Sequence, residues 1–232
     1  MEERLLNIYN GVMEDNDLDQ VSTYFNDRCY LIKKDFGLLV SHFIETSNVE
    51  MMPILNIILN SKKFKDQSDC CDKYGEPIVH LIIYTIAGKL HHGGNADYLM
   101  GLLKDPNLPL RWNLNSESLD SPLHVIASEC ETLGSDLTWE LLTLALQKGC
   151  NPLCKNDADL TAMQILRYDI LEDNVISDEE RNEMIKVLEK YVKKHMITIS
   201  SKVYEVEEEV VEVESTVTTN TPSMSLVPVK TS

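Results

Sequence analysis

Residues 119–127, LDSPLHVIA, form the most informative stretch of the chain. Ser121 stands where a helix N-cap is favoured, and Pro122 follows at the first helical position, where its missing N–H costs no hydrogen bond. A second apolar run, LLTLAL at residues 141–146, predicts another helix, and Gly149 after it fits the left-handed residue that ends many helices. The stretch therefore predicts two helices joined by a turn.

The opening of this unit recurs along the chain. A histidine or glutamine lies five residues after a glycine, leucine or aspartate at four places, namely Gly37–His42, Gly75–His80, Leu119–His124 and Asp159–Gln164. The steps between these places are 38, 44 and 40 residues. Together with DKYGEPIVHLI at residues 72–82, the pattern resembles the ankyrin repeat, G-x-T-P-L-H-x-A, whose period is about 33 residues. The resemblance implies an all-α ankyrin-repeat solenoid of stacked helix pairs, with finger loops between successive repeats.

The resemblance also sets the expected domain boundaries. Residues 1–197 would form the ankyrin-repeat domain, with an N-terminal cap at 3–27 and repeats near 35–62, 72–105, 117–150 and 156–196. The steps exceed the family period, and most of the excess in the second and third units lies between paired helices. This predicts lengthened loops at Leu90–Ala96 and Cys130–Leu137. Residues 198–232 partly alternate valine with glutamate and then become rich in Ser, Thr and Pro, which predicts a disordered acidic tail.

The outer units depart from the family pattern but keep clear helix signals. Pro53 precedes an apolar run and can occupy the first turn of a helix. The fourth unit has Ala162 in place of the proline and Gln164 in place of the histidine. Its last helix begins at a capping box, Ser177 to Glu180, which predicts a C-terminal cap.

Composition narrows the range of partners. The formal net charge of −17 argues against nucleic acid, which needs a basic face, and against anionic lipid. An acidic protein favours a partner with a basic surface, although such charge also serves solubility alone. The first residues lack a signal-peptide pattern and no apolar run is long enough to span a membrane. With six cysteines that we interpret as reduced thiols, we expect a cytoplasmic or nuclear protein.

No motif in the sequence points to catalysis, a metal or a cofactor. His42, His80 and His124 lie one repeat apart, and stacked repeats would separate them by roughly 10 Å, too far for one shared ion. The resemblance instead implies that this histidine forms hydrogen bonds within its turn and between repeats. His91 and His92 are expected to be exposed, and the cysteines lack the paired spacing of a zinc site. We therefore expect no enzyme.

The resemblance implies that a partner protein binds to the finger tips and the concave groove. Arg111 and Trp112 occupy the longest finger, and both residue types are common in interface hot spots. The alternative is that Trp112 packs on its own neighbouring repeat. Other candidates on the earlier fingers are Tyr74, Lys73, Tyr30 and Lys33.

Three functional classes remain open at this point. The leading one is a non-catalytic interaction module that acts as an adaptor or inhibitor. A short stack with an acidic tail is similar in outline to the IκB-type inhibitors of transcription factors, in which the tail opposes a basic DNA-binding surface. The second class is a targeting or regulatory subunit of a larger enzyme, and the third is an enzyme with a deep pocket of perturbed titrating groups.

Overall fold

The computed structural model describes residues 7–12, 17–46, 48–168 and 176–194, and in these residues the fold is all-α, without a β-strand. The all-α fold class is confirmed. The predicted tail at 198–232 lies outside the described residues. The helices are α1 (7–12), α2 (Leu18–Thr23), α3 (Lys33–Glu45), α4 (Met52–Asn60), α5 (Lys62–Asp66), α6 (Ile78–His91), α7 (Asp97–Lys104), α8 (Pro122–Ser128), α9 (Cys130–Leu133), α10 (Ser135–Gln147), α11 (Ala162–Tyr168) and α12 (178–194). A π-helical turn, Tyr24–Arg28, follows α2, and a 3₁₀ turn, Val49–Met51, precedes α4.

The chain divides into two compact units, Met1–Leu188 and Glu189–Ser232, and the described part of the second unit is the end of α12. In the first unit, α3 packs on α6, α6 on α8 and α9, and α8 on α11. Three of these helices also pack on a later helix of the same pair, since α4 packs on α3, α7 on α6 and α10 on α8. Each helix pair therefore buries apolar surface both within itself and against the next pair.

Local signals explain where the helices of the third pair begin and end. Ser121 is the N-cap of α8 and forms a capping box with His124, while Pro122 is the first residue of the helix. Gly149 follows α10 with φ of +90°, the left-handed conformation that glycine adopts without steric cost. These three predictions from the sequence are confirmed.

The capping predictions in the outer units also hold. Pro53 lies in the first turn of α4. The Ser177 backbone N–H and hydroxyl both donate to a carboxylate oxygen of Glu180, at 2.9 and 2.7 Å, and the Glu180 backbone N–H donates back to the Ser177 hydroxyl at 3.3 Å. This is the capping box that the sequence predicted.

Three local predictions differ from the structure. Gly37 was expected in a turn like that of Gly75, but it lies inside α3 with a helical backbone. The expected loop at Cys130–Leu137 is largely helical, because α9 fills its first half and α10 begins at Ser135. A single break at Gly134, with φ of +75°, replaces the loop. The loop near Leu90–Ala96 is shorter than predicted, since α6 continues to His91.

The three later finger loops share one backbone turn. In each, the N–H of the first residue donates to the carbonyl oxygen four residues later, at 2.9 to 3.0 Å, and the residue just before that acceptor has positive φ. The first residues are Asp72, Ser116 and Asn156, and the positive-φ residues are Gly75 (79°), Leu119 (62°) and Asp159 (61°). The histidine or glutamine of the sequence pattern follows each of these by five residues, so the spacing seen in the sequence marks a repeated turn.

His124 ties one finger loop to the next. The Ser121 backbone N–H donates to Nδ1 of His124 at 2.9 Å, so Nε2 carries the proton and donates to the Leu160 carbonyl oxygen at 3.0 Å. Gln164 repeats the first of these bonds, because its Oε1 accepts the Thr161 backbone N–H at 2.8 Å. For His124, the hydrogen bonds implied by the family resemblance are therefore present.

The His124→Gln variant should lose less stability in acid than the wild type. Burial lowers the pKa of His124 from 6.5, so the unfolded chain binds a proton more readily than the folded protein does. The wild type should lose stability as the pH falls from about 6.5 towards the lower folded-state pKa. Urea unfolding at about pH 7 and about pH 5 checks this. Burial also lowers the pKa of His42, so the variant should keep part of the pH dependence. If the free energy of unfolding changes equally between the two pH values in the variant and the wild type, then His124 is not a source of the acid sensitivity.

Candidate protein-binding surface

Both predicted partner-binding tyrosines lie in finger loops and are exposed. Tyr30 precedes α3 and exposes 84% of its surface, and Tyr74 exposes 66% in the turn that follows Asp72. The Lys73 ammonium lies 4.6 Å from the centre of the Tyr74 ring, a cation–π contact. Lys33 forms an ion pair of 2.6 Å with Asp69 on the neighbouring finger loop. These four predicted residues are therefore positioned where a partner could reach them.

Trp112 is buried, which corrects its assignment as an exposed anchor. Its exposed fraction is 4%, and its carbonyl oxygen accepts a hydrogen bond of 2.8 Å from the Cys150 thiol. The neighbouring Arg111 remains exposed, and its Nε donates to the Ser68 hydroxyl at 2.9 Å. The long finger is thus fastened to the two adjacent segments of the chain, and Trp112 contributes to packing.

Two further exposed apolar side chains, which the sequence did not single out, also lie on finger loops. Leu119 exposes 51% of its surface and Ile32 exposes 64%. With Tyr30 and Tyr74, they form what we call the finger-tip surface. A signal for Leu119 was present in the pattern, because leucine occupies the place that glycine and aspartate occupy in the other two turns.

Contacts between neighbouring finger loops position this surface. A Cβ atom at Gly75 would overlap the side chain of Glu117, so the second and third fingers approach closely. Between the third and fourth fingers, the Asn156 amide donates to the Asp120 carboxylate at 3.0 Å, and the Asp157 N–H donates to the Ser118 carbonyl oxygen at 3.0 Å. The third and fourth fingers are therefore held together by hydrogen bonds, which reduces the entropy that a partner would have to remove on binding there.

The buried thiols are unsuited to nucleophilic chemistry. Burial raises the pKa of Cys70 and that of Cys150 to about 12, so both thiols stay protonated at neutral pH. His91 and His92 are exposed, as predicted. In the described ranges no group of three His, Cys, Asp or Glu side chains is placed to hold a metal ion.

Comparison of the sequence with protein-family models and with curated proteins finds no match. Across the part of the chain that the structure describes, no helix combines the length and apolar character that crossing a membrane requires. We therefore infer function from the packing of the helix pairs and from the side chains that the finger loops expose.

Proposed function

We propose that this protein is a non-catalytic interaction module of the ankyrin-repeat type, which binds a partner protein through its finger-tip surface and acts as an adaptor or inhibitor. The successive packing of α3, α6, α8 and α11 supports this proposal. The turn shared by three finger loops and the bond from His124 to Leu160 support it too. A stack of this kind stabilises itself through neighbouring pairs and leaves its loops available for binding.

The observation that carries the proposal is the conformation of Leu119. A left-handed backbone costs a leucine about 1–2 kcal/mol relative to its ordinary conformations. Leu119 has φ of +62° and also exposes half of its apolar surface. Neither feature stabilises the free protein. Glycine at this position would adopt the same φ without strain, and a polar side chain would be better solvated than leucine. Both features are explained if the leucine side chain is buried by a partner.

The Leu119→Gly variant should separate binding from stability. We expect its free energy of unfolding to equal that of the wild type or to exceed it by about 1 kcal/mol, because the strain is relieved. We expect the amount of partner protein captured from an extract of the native source to fall severalfold, because a hot-spot side chain is lost. Urea unfolding and quantitative affinity capture with the full chain measure the two quantities.

Val49→Ala is the matched control for these experiments. Val49 exposes 65% of its surface, about as much as Tyr74, but it lies in the 3₁₀ turn before α4 and outside the finger loops. Tyr74→Ala should reduce capture as Leu119→Gly does, and Val49→Ala should leave it unchanged. Equal capture by all three variants would contradict a binding role for the finger tips.

A further inference from the structure

Trp139 is a large exposed side chain that the finger-tip surface does not include. It lies on α10, whose inward face buries Thr138, Leu141, Leu142 and Ala145. The indole projects from the outward face with 40% of its surface exposed. It is one of two tryptophans in the chain, and the other, Trp112, is buried. Exposed tryptophan is uncommon on surfaces that bind nothing, since its burial contributes more to interfaces than that of almost any other residue.

The indole of Trp139 stands between two depressions. One lies between α10 and α12, has a volume of about 620 Å³ and includes Asp136, Glu179 and Met184 in its lining. The other lies between α7 and α10, has a volume of about 580 Å³ and includes Asp136 and Leu144. The ring thus forms a ridge with a recess on each side. We call this region the Trp139 groove.

The charges around the Trp139 groove are predominantly negative. Its lining contains five carboxylates and two ammonium groups, namely Asp136, Glu140, Glu179, Glu180 and Glu183 with Lys104 and Lys186. Each lysine is already paired with one glutamate, Lys104 with Glu140 and Lys186 with Glu183, both at 2.6 Å. Among the described residues, no salt bridge joins the other three carboxylates to a cation.

We propose that the Trp139 groove binds a segment of a partner protein that carries arginine and lysine side chains. A guanidinium or ammonium group can lie over the face of the indole while its aliphatic stem packs beside the ring. Further basic side chains of the same segment reach Asp136 and Glu179 in the recess towards α12, where charge-assisted hydrogen bonds form. The net charge of −17 adds a long-range attraction for such a segment.

This interaction would use different residues from the finger-tip surface, so it adds a second contact to the proposed function. An acidic peptide or a nucleic acid is excluded by charge, because both would be repelled by the same carboxylates. A single small cation would fill only part of two recesses that together flank the whole ring. An extended basic segment is the occupant that matches the apolar ridge, the two recesses and the sign of the charge.

The test uses the full chain, labelled with ¹⁵N, and a short arginine-rich peptide as the probe. The two indole N–H signals of Trp139 and Trp112 can be assigned by replacing each tryptophan in turn with phenylalanine. On titration, we expect the Trp139 signal to shift and the Trp112 signal to stay in place. A glutamate-rich peptide of the same length should move neither signal. A Trp139 signal that does not respond to the arginine-rich peptide would overturn the proposal.

Substitutions distinguish a specific groove from general attraction to an acidic protein. Trp139→Ala should weaken binding of the arginine-rich peptide about fivefold to tenfold. The double variant Asp136→Asn/Glu179→Gln should weaken it by a similar factor, and added salt should reduce the difference. The matched control, Glu50→Gln/Asp66→Asn, changes the net charge equally at exposed sites outside the groove. If this control weakens binding as much as the groove variant does, the attraction is diffuse and the proposal fails.

Capture of a finger-tip partner by Trp139→Ala is a separate measurement, so the two proposals can fail independently.

Discussion

Replacing Arg181 with methionine should lower the free energy of unfolding by about 3–5 kcal/mol, the largest effect that we expect from any single substitution. Arg181 lies on α12 and exposes only 5% of its side chain. Its guanidinium forms an ion pair with the Glu131 carboxylate on α9, and Nη1 donates to the Leu166 carbonyl oxygen on α11 at 3.2 Å. The arginine thereby connects three helices. Methionine fills a similar volume but removes this ion pair, while only 18% of the Glu131 side chain is exposed.

A double-mutant cycle tests whether the loss comes from the ion pair between Arg181 and Glu131. Glu131→Gln removes the negative charge while its amide oxygen can still accept the Ile176 N–H, which donates to Glu131 at 3.2 Å. We expect the double variant Arg181→Met/Glu131→Gln to be clearly more stable than the sum of the single losses implies, by about 1–3 kcal/mol. Urea unfolding of the four proteins measures this coupling. Additive losses would show that the ion pair does not stabilise the attachment of α12 and that Arg181 acts through packing alone.

The sequence does not reveal this contact, for a physical reason. Arg181 follows the acidic residues of a capping box, and a run of charged residues at a helix start is typical of a solvent-exposed face. Its partner, Glu131, is 50 residues away in the chain and lies in a segment that we expected to be a loop. Burial of a charge depends on a long-range contact, and no local pattern records it. The same limit explains Trp112, because its burial depends on the segment that contains Cys150.

Local structure, by contrast, follows from local chemistry. The caps at Ser121 and Ser177 and the helix end at Gly149 depend on side chains within a few residues of the terminus, so the sequence predicted each of them. The five-residue spacing that ends at His80, His124 and Gln164 coincides with the shared turn, but the same spacing at Gly37–His42 does not, because Gly37 lies within α3. The candidate site could be predicted only in part. The exposure of Tyr74 follows from a local turn, but the exposure of Trp139 depends on how α10 packs on its neighbours.

Gly37→Ala should destabilise the protein by about 2–3 kcal/mol, although alanine is the better helix former. Gly37 lies within α3 and is buried. A Cβ atom there would overlap the backbone carbonyl oxygen of Cys71, on the finger loop that leads to α6. The backbone at Cys71 is fixed by its bridge to Pro77, so it has little freedom to retreat. The extra methyl group must therefore push α3 away from the next helix pair.

Gly88→Ala is the matched control, because it makes the same substitution inside a helix where nothing lies within 4 Å of the new Cβ atom. Here the helix propensity acts alone, and we expect a gain of about 0.5–1 kcal/mol. Opposite signs for the two glycine variants in urea unfolding would show that the cost at Gly37 comes from the approach of the two backbones. A gain in stability at Gly37 would mean that α3 and the Cys71 segment can separate without loss, and close packing at this contact would then not be what holds α3 against α6.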